Sequence, residues 1–160
     1  MVQRPHCDCI NGSVLVTLKN RVAPAKNMGS WHEARLRVRY EETDATGVVY
    51  YGKYFVWLEV GRVALLRDVG ADHSEWVKHE IQFAVVQAHL DYHAPARFDD
   101  EILVRTRVAS VGNKSIRFEN EIYKIPEMKR LATGHTVQAL VKGGVAVPFQ
   151  RELKEQLISS

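Results

Sequence analysis

The stretch Tyr40–Gly70 reads YEETDATGVVYYGKYFVWLEVGRVALLRDVG. Its first part is polar. Thr43, Asp44, Thr46 and Gly47 are turn formers and predict a loop over Glu42–Gly52. From Lys53 to Val69 the pattern changes. Tyr54, Phe55, Trp57, Leu58, Val60, Leu65 and Leu66 are among the apolar residues that cover most of a helical circumference, interrupted by Glu59, Arg62, Arg67 and Asp68. A helix this apolar is expected to be buried on more than one side. Gly70 suits the position just past a helix end. Gly61 in mid-helix costs about 1 kcal/mol relative to Ala, which close packing against a sheet would offset.

Outward from this stretch, strands are expected. Ala34–Glu41 alternates Leu36, Val38 and Tyr40 with Arg35, Arg37 and Arg39, a period of two that predicts a half-buried strand. The three arginines are either a solvated face or a basic rim for a phosphorylated ligand. Downstream, Ala71–Glu80 reads as a short helix with Asp72 or Ser74 as its cap. Strands follow at Ile81–His93, Glu101–Val111, Lys114–Ile125 and Arg130–Lys142. Ala94-Pro95-Ala96, Gly112-Asn113, Ile125-Pro126-Glu127 and Gly143-Gly144 punctuate them. Pro148–Ile158 reads as a terminal helix. Short connections make the sheet antiparallel. The fold class is therefore α+β, with an antiparallel sheet curled around one apolar helix and edge strands suited to dimer contacts.

The chain has 160 residues, 46% hydrophobic and 26% charged, a composition that suits one globular domain. No apolar run approaches the roughly 18–20 residues of a membrane span. The net charge of +3 is too weak to argue for nucleic acid, and suits an anionic small ligand if the basic residues cluster. Residues 1–27 lack periodicity and are set apart as an N-terminal extension, either native or added, with 28–160 as the folded domain. Both cysteines, Cys7 and Cys9, lie in that extension. A disulfide framework is therefore not expected in the main body, which favours a reducing, cytoplasmic setting. Cys7 and Cys9 with His6 and Asp8 lack the spacing and second ligand pair of a structural zinc site.

The chemistry narrows by exclusion. The sequence has no Gly-x-Ser-x-Gly elbow, phosphate-binding Gly-rich loop, His-Glu-x-x-His pair or dinucleotide fingerprint. His89, Asp91 and His93 alternate and would share a strand face, either as metal ligands or as a polar surface. His73, His79 and His135 show no partner pattern. Asp44 supports two readings. It is a turn carboxylate that bonds nearby backbone N–H groups, or a reactive group. The second reading needs the helix just downstream, whose first N–H groups lack internal partners and carry a partial positive charge. Such groups stabilise a carbonyl oxygen as it becomes an oxyanion, while a carboxylate attacks the carbon or activates a water.

Tyr40–Tyr54 resembles the signature of hotdog-fold acyl-CoA thioesterases, in particular the 4-hydroxybenzoyl-CoA thioesterase / YbgC-like branch. Tyr92-His93-Ala94-Pro95-Ala96-Arg97-Phe98-Asp99-Asp100 resembles that branch's tract between its second and third strands, and the order of elements agrees over about residues 34–142. The resemblance implies hydrolysis of an acyl-CoA to a carboxylic acid and free CoA, without a metal or bound cofactor. It implies Asp44 as nucleophile or general base, the Tyr51 backbone N–H as the group that polarises the carbonyl, and Gly47 as the residue that lets the loop turn. It points to Lys114, beside Ser115, for the CoA phosphates. It also implies a homodimer or homotetramer with sites between subunits. Glu59 matches a frequent acidic position, and it is equally an ion-pair partner for Arg62. Tyr51 departs from the His common in YbgC-like members, so a His-assisted mechanism is not implied. A dehydratase acting on hydroxyacyl thioesters pairs its acid with a His in another local pattern. A non-catalytic acyl-thioester-binding or cell-envelope scaffold protein is the alternative of a different class.

Overall fold

Burial alternates residue by residue along His32–Arg37, while the later strands carry runs of buried residues where the sheet meets the core. The structure, a computed structural model, describes residues 29–70, 78 and 80–158. The proposed extension with Cys7 and Cys9, the short helix expected over most of 71–80, and His73 and His79 lie outside the described residues.

Strands β1 (His32–Arg37), β2 (Ile81–Tyr92), β3 (Glu101–Val111), β4 (Ser115–Ile125), β5 (Lys129–Lys142) and β6 (Val145–Ala146) form one antiparallel sheet. Its order is β1-β3-β4-β5-β2, with β6 pairing the end of β5 beyond β4. Helix α1 (Lys53–Asp68) lies on one face of the sheet, and α2 (Arg151–Ile158) closes one end. Each β-branched or aromatic core residue removed from water contributes about 1.5–3 kcal/mol.

Two apolar clusters divide the core along α1. At its N-terminal half, Tyr54, Trp57 and Leu58 pack with Val38, Val49, Ile102 and Ile122. At its C-terminal half, Leu65 and Leu66 pack with Val108, Ile116, Phe118 and Leu157. Gly61 sits between them. A Cβ there would lie 2.3 Å from the Thr106 hydroxyl and 2.8 Å from Val104 Cγ1, so the glycine admits the sheet to the helix backbone. Gly70 follows the helix with φ +73°, the left-handed conformation expected of it.

Three details depart from the sequence pattern. β1 stops at Arg37, and Tyr40–Glu42 forms a single 3₁₀ turn. Glu42 folds back to accept a hydrogen bond from the Arg39 backbone N–H at 2.8 Å, which closes the turn and leaves Tyr40 78% exposed rather than inward. Gly143 and Gly144 join β5 to β6, a short strand the pattern did not mark. Within one chain, α1 buries a single stripe, Tyr54, Trp57, Leu58, Gly61, Leu65 and Leu66, whereas Phe55, Val56 and Val60 remain exposed. Val85 and Val86, at a bulge on the edge strand β2, are exposed as well.

Candidate active site

The loop that carries Asp44 is a small, internally bonded turn. Thr43 bridges to Val49, the Asp44 N–H donates to the Val48 carbonyl at 2.8 Å, and the Gly47 N–H donates to the Asp44 carbonyl at 3.0 Å. Gly47 has φ +74°, a conformation that favours glycine there. Asp44 Oδ1 accepts from the Thr46 hydroxyl at 2.5 Å and from the Thr46 backbone N–H at 2.8 Å. These bonds, the hydroxyl first, hold the Asp44 carboxyl below its ordinary value, because they stabilise the charged form. The other carboxylate oxygen has no partner among the described residues and faces solvent. The turn reading and the reactive reading of Asp44 are thus compatible, since one oxygen holds the loop and the other is free.

The loop is fixed to the core by Glu42. This residue is 3% exposed, and its Oε1 accepts from Trp57 Nε1 at 3.1 Å. Its carbonyl accepts from the Tyr50 N–H at 2.9 Å. A second attachment comes from the tract after β2. The Val49 N–H donates to the Ala96 carbonyl at 2.9 Å, and the Ala96 N–H donates to the Tyr54 hydroxyl oxygen at 3.0 Å. Burial is the main cause that raises the Tyr54 phenol pKa, so it stays neutral.

Helix α1 begins immediately after this loop. The Tyr51 N–H has no partner among the described residues, and the first turn of α1 contains no acidic residue to offset its positive end. The Tyr51 carbonyl accepts from the Tyr92 hydroxyl at 2.9 Å, which fixes the peptide at the helix entry. A cavity of about 320 Å³ opens there, lined by Val49, Tyr51, Tyr54, Tyr92, His93 and Pro95. The Tyr51 ring is at the surface and packs on Tyr50. A free carboxylate oxygen and a free helix-entry N–H therefore belong to one short segment, of which Val49 and Tyr51 line the cavity and Asp44 does not. That combination can polarise a carbonyl and deliver an oxygen nucleophile to it.

The remaining candidates lie elsewhere. Glu59 pairs with Arg62 at 3.4 Å and lines a separate groove of about 440 Å³ with Phe55, Val56, Phe83 and Gln138. Burial lowers the Arg62 pKa, and Glu59 opposes that shift. Lys114 sits at the β3–β4 turn, where its ammonium donates to the Ala146 carbonyl at 3.1 Å. Ser115 is buried. That turn adjoins the core cluster at the C-terminal half of α1, whereas Val49 belongs to the cluster at the other half. A 16-residue helix is about 24 Å long, so one chain does not bring Lys114 and Ser115 to Asp44. Of the three alternating arginines, Arg35 is exposed without a partner among the described residues, whereas the other two are engaged. Arg37 pairs with Asp99 and Glu101, and Arg39 with Glu41 and Glu42. His89 stacks on His135 and contacts Asp91, while His93 bonds the Thr133 hydroxyl at 2.8 Å. Among the described residues no three His, Cys, Asp or Glu converge as metal ligands.

Sequence reasoning did not single out Glu42, Tyr92 or Arg97 as functional. Tyr92 and Arg97 lie in the second motif, yet no local spacing connects them to residues 40–50 positions away.

Residues 38–157 match the thioesterase-like superfamily. The chain belongs to that superfamily. Among curated relatives, the acyl-CoA thioesterase YbgC of Haemophilus influenzae is 31% identical over 120 residues, covering 74% of this chain and 88% of that protein. The acyl-CoA thioester hydrolase YbgC of Escherichia coli is 34% identical over 87 residues, 54% of this chain and 65% of that one. The match spans 63–65% of the length of the relatives from Synechocystis, Bacillus subtilis and Escherichia coli. A crystal structure of a hypothetical protein from Thermus thermophilus superposes with TM-score 0.74 at 32% identity, covering 78% of this chain and 95% of that one. The sheet wrapped on α1 is the hotdog fold of this thioesterase-like superfamily. No described helix is long and apolar enough to cross a membrane.

Proposed function

We propose that residues 28–160 form a thioesterase domain that hydrolyses an acyl-CoA to a carboxylic acid and free CoA. The observation that carries this reading is the presence, on one short segment, of a free Asp44 oxygen and an unpartnered Tyr51 N–H, with Tyr51 lining a cavity. The thioester carbonyl oxygen accepts from the Tyr51 N–H, and negative charge developing on it is stabilised by the helix entry. Asp44 then acts by one of two routes. As nucleophile it attacks the carbonyl carbon, the C–S bond breaks, the electron pair leaves with the CoA thiolate, and water hydrolyses the resulting anhydride. As general base it removes a proton from a water that attacks the same carbon, the C–S bond breaks with its electron pair leaving on the CoA sulfur, and the proton held by Asp44 passes to that thiolate. Both routes use an ionised carboxylate, which the Thr46 contacts favour. Neither requires a metal or bound cofactor, and a cytoplasmic setting suits a CoA ester.

The working unit we propose is a homodimer, alone or within a tetramer. Phe55 and Val56 of α1 line a groove with Phe83, Val85 and Ala88 of β2, whose outer edge pairs with no described strand, and with the exposed Val60 they present apolar surface and free strand groups to a second copy. A partner would also supply the Lys114 turn that a single chain keeps far from Asp44. Glu59 and Arg62 would then lie at the subunit contact.

The test is free-thiol release from a panel of acyl-CoAs. Turnover on at least one chain length supports the reading. Binding of acyl-CoAs with no turnover on any of them favours a non-catalytic acyl-thioester-binding protein instead.

A further inference from the structure

Among the described residues, the tip of the Asp44 turn receives one hydrogen bond from outside the turn. Arg97 Nη1 donates to the Gly47 carbonyl at 3.3 Å. All other bonds of residues 44–48 close within the turn itself. Arg97 lies fifty positions away in the tract after β2, and that tract is itself rigidly seated. The Arg97 N–H donates to Asp100 Oδ2 at 2.9 Å, and Asp100 Oδ1 is bound by Lys124 Nζ of β4 at 2.7 Å. Ala96, the neighbouring residue, is fully buried and holds Val49 through its carbonyl. A chain of contacts therefore runs from β4 through Asp100 and Arg97 to the peptide that shapes the Asp44 turn.

We infer that Arg97 is a positioning residue for Asp44, fixing the tip of its loop against the sheet so that the free carboxylate oxygen is presented to the thioester carbon. This inference rests on the thioesterase reading above. A charged donor to a backbone carbonyl is stronger than a neutral one, and small misplacements of a reacting group cost up to about a hundredfold in rate. The alternative role for an exposed arginine is to bind a CoA phosphate, and the two roles separate by substrate.

The experiment compares wild type, Arg97→Ala and Arg97→Lys on an acyl-CoA and on the corresponding acyl-pantetheine, which lacks the nucleotide phosphates. For Arg97→Ala the inference predicts a kcat lower by roughly 10- to 100-fold on both substrates, with KM changed by less than about threefold. Arg97→Lys, which retains one cationic donor, restores a large part of kcat. Hydrogen exchange at the Asp44 and Gly47 amides, both bonded inside the turn, rises at least about tenfold in Arg97→Ala. A loss confined to the CoA ester and expressed in KM overturns the inference in favour of phosphate binding. Unchanged kcat with unchanged amide exchange overturns it outright. Absence of turnover by the wild type defeats the thioesterase reading instead, and the exchange measurement still decides whether Arg97 holds the turn.

Discussion

Trp57 Nε1 donates a hydrogen bond to Glu42 Oε1 across 3.1 Å, joining the first turns of α1 to the loop that carries Asp44. Trp57 is 1% exposed. Deep in the core, this bond and the bond from the Arg39 N–H satisfy both Glu42 oxygens, so the carboxylate is not left uncompensated.

Trp57→Phe removes one donor from a buried carboxylate and leaves a small void. We expect a loss of about 2–3 kcal/mol in urea-unfolding stability, together with lower thiol-release activity at temperatures where the variant is folded. A stability loss with unaltered turnover would separate this anchor from the site.

The Thr46 hydroxyl is the largest contributor to the lowered pKa of Asp44. Thr46→Val removes that hydroxyl and keeps the size of the side chain. The Asp44 pKa rises, so a larger fraction of the carboxylate is protonated at any given acidic pH. The acid limb of kcat/KM, where activity falls as Asp44 takes up its proton, moves to higher pH. The measurement is the pH profile of both proteins. An acid limb that stays in place assigns it to another group.

Gly61→Ala improves helix propensity by about 1 kcal/mol yet forces a methyl group to 2.3 Å from the Thr106 hydroxyl, itself bonded to Asn120 at 2.9 Å. The overpacking outweighs the propensity. A net destabilisation of about 1–3 kcal/mol is expected, read as a lower midpoint in chemical unfolding. A stabilised variant would show that α1 can move away from the sheet at no cost.

Val56, 46% exposed in a single chain, lies on the face of α1 proposed to meet a second copy. Val56→Glu places a charge where the isolated subunit already meets water, so monomer stability is little affected. Sedimentation should show the assembly dissociating, and thiol release should fall with it. A variant that keeps both its assembly and its activity would move the interface elsewhere.

Much of the fold was legible because its signals are local. The alternation from Ala34 to Val38, the apolar run Tyr54–Leu66 and the punctuation at Gly112-Asn113 and Gly70 each depend on a few neighbouring residues. Tyr40 was misread for the same reason. Its alternation with Val38 continues the strand, but Glu42 turns the backbone through a contact with Arg39 that a period of two does not register. The helix looked more deeply buried in sequence than it is in one chain, because Phe55, Val56 and Val60 are apolar whatever covers them. In the site, Asp44 and Tyr51 stood out through the motif that contains them. The attachments through Ala96 to Val49, Arg97 to Gly47 and Tyr92 to Tyr51 join segments about forty to fifty residues apart, and only the folded chain brings them together. Lys114 is implied by the family resemblance, and a resemblance carries no distance to Asp44 within one chain.

The central claim is that the free oxygen of Asp44 performs the chemistry. Asp44→Asn tests it most directly, since an amide retains an oxygen to accept the Thr46 bonds while losing the charge. Free-thiol release should be measured for wild type and variant on the best acyl-CoA of a panel, with folding checked by circular dichroism. The account predicts a folded variant whose turnover is lower by at least about 100-fold. A folded variant that releases thiol at the wild-type rate would contradict it.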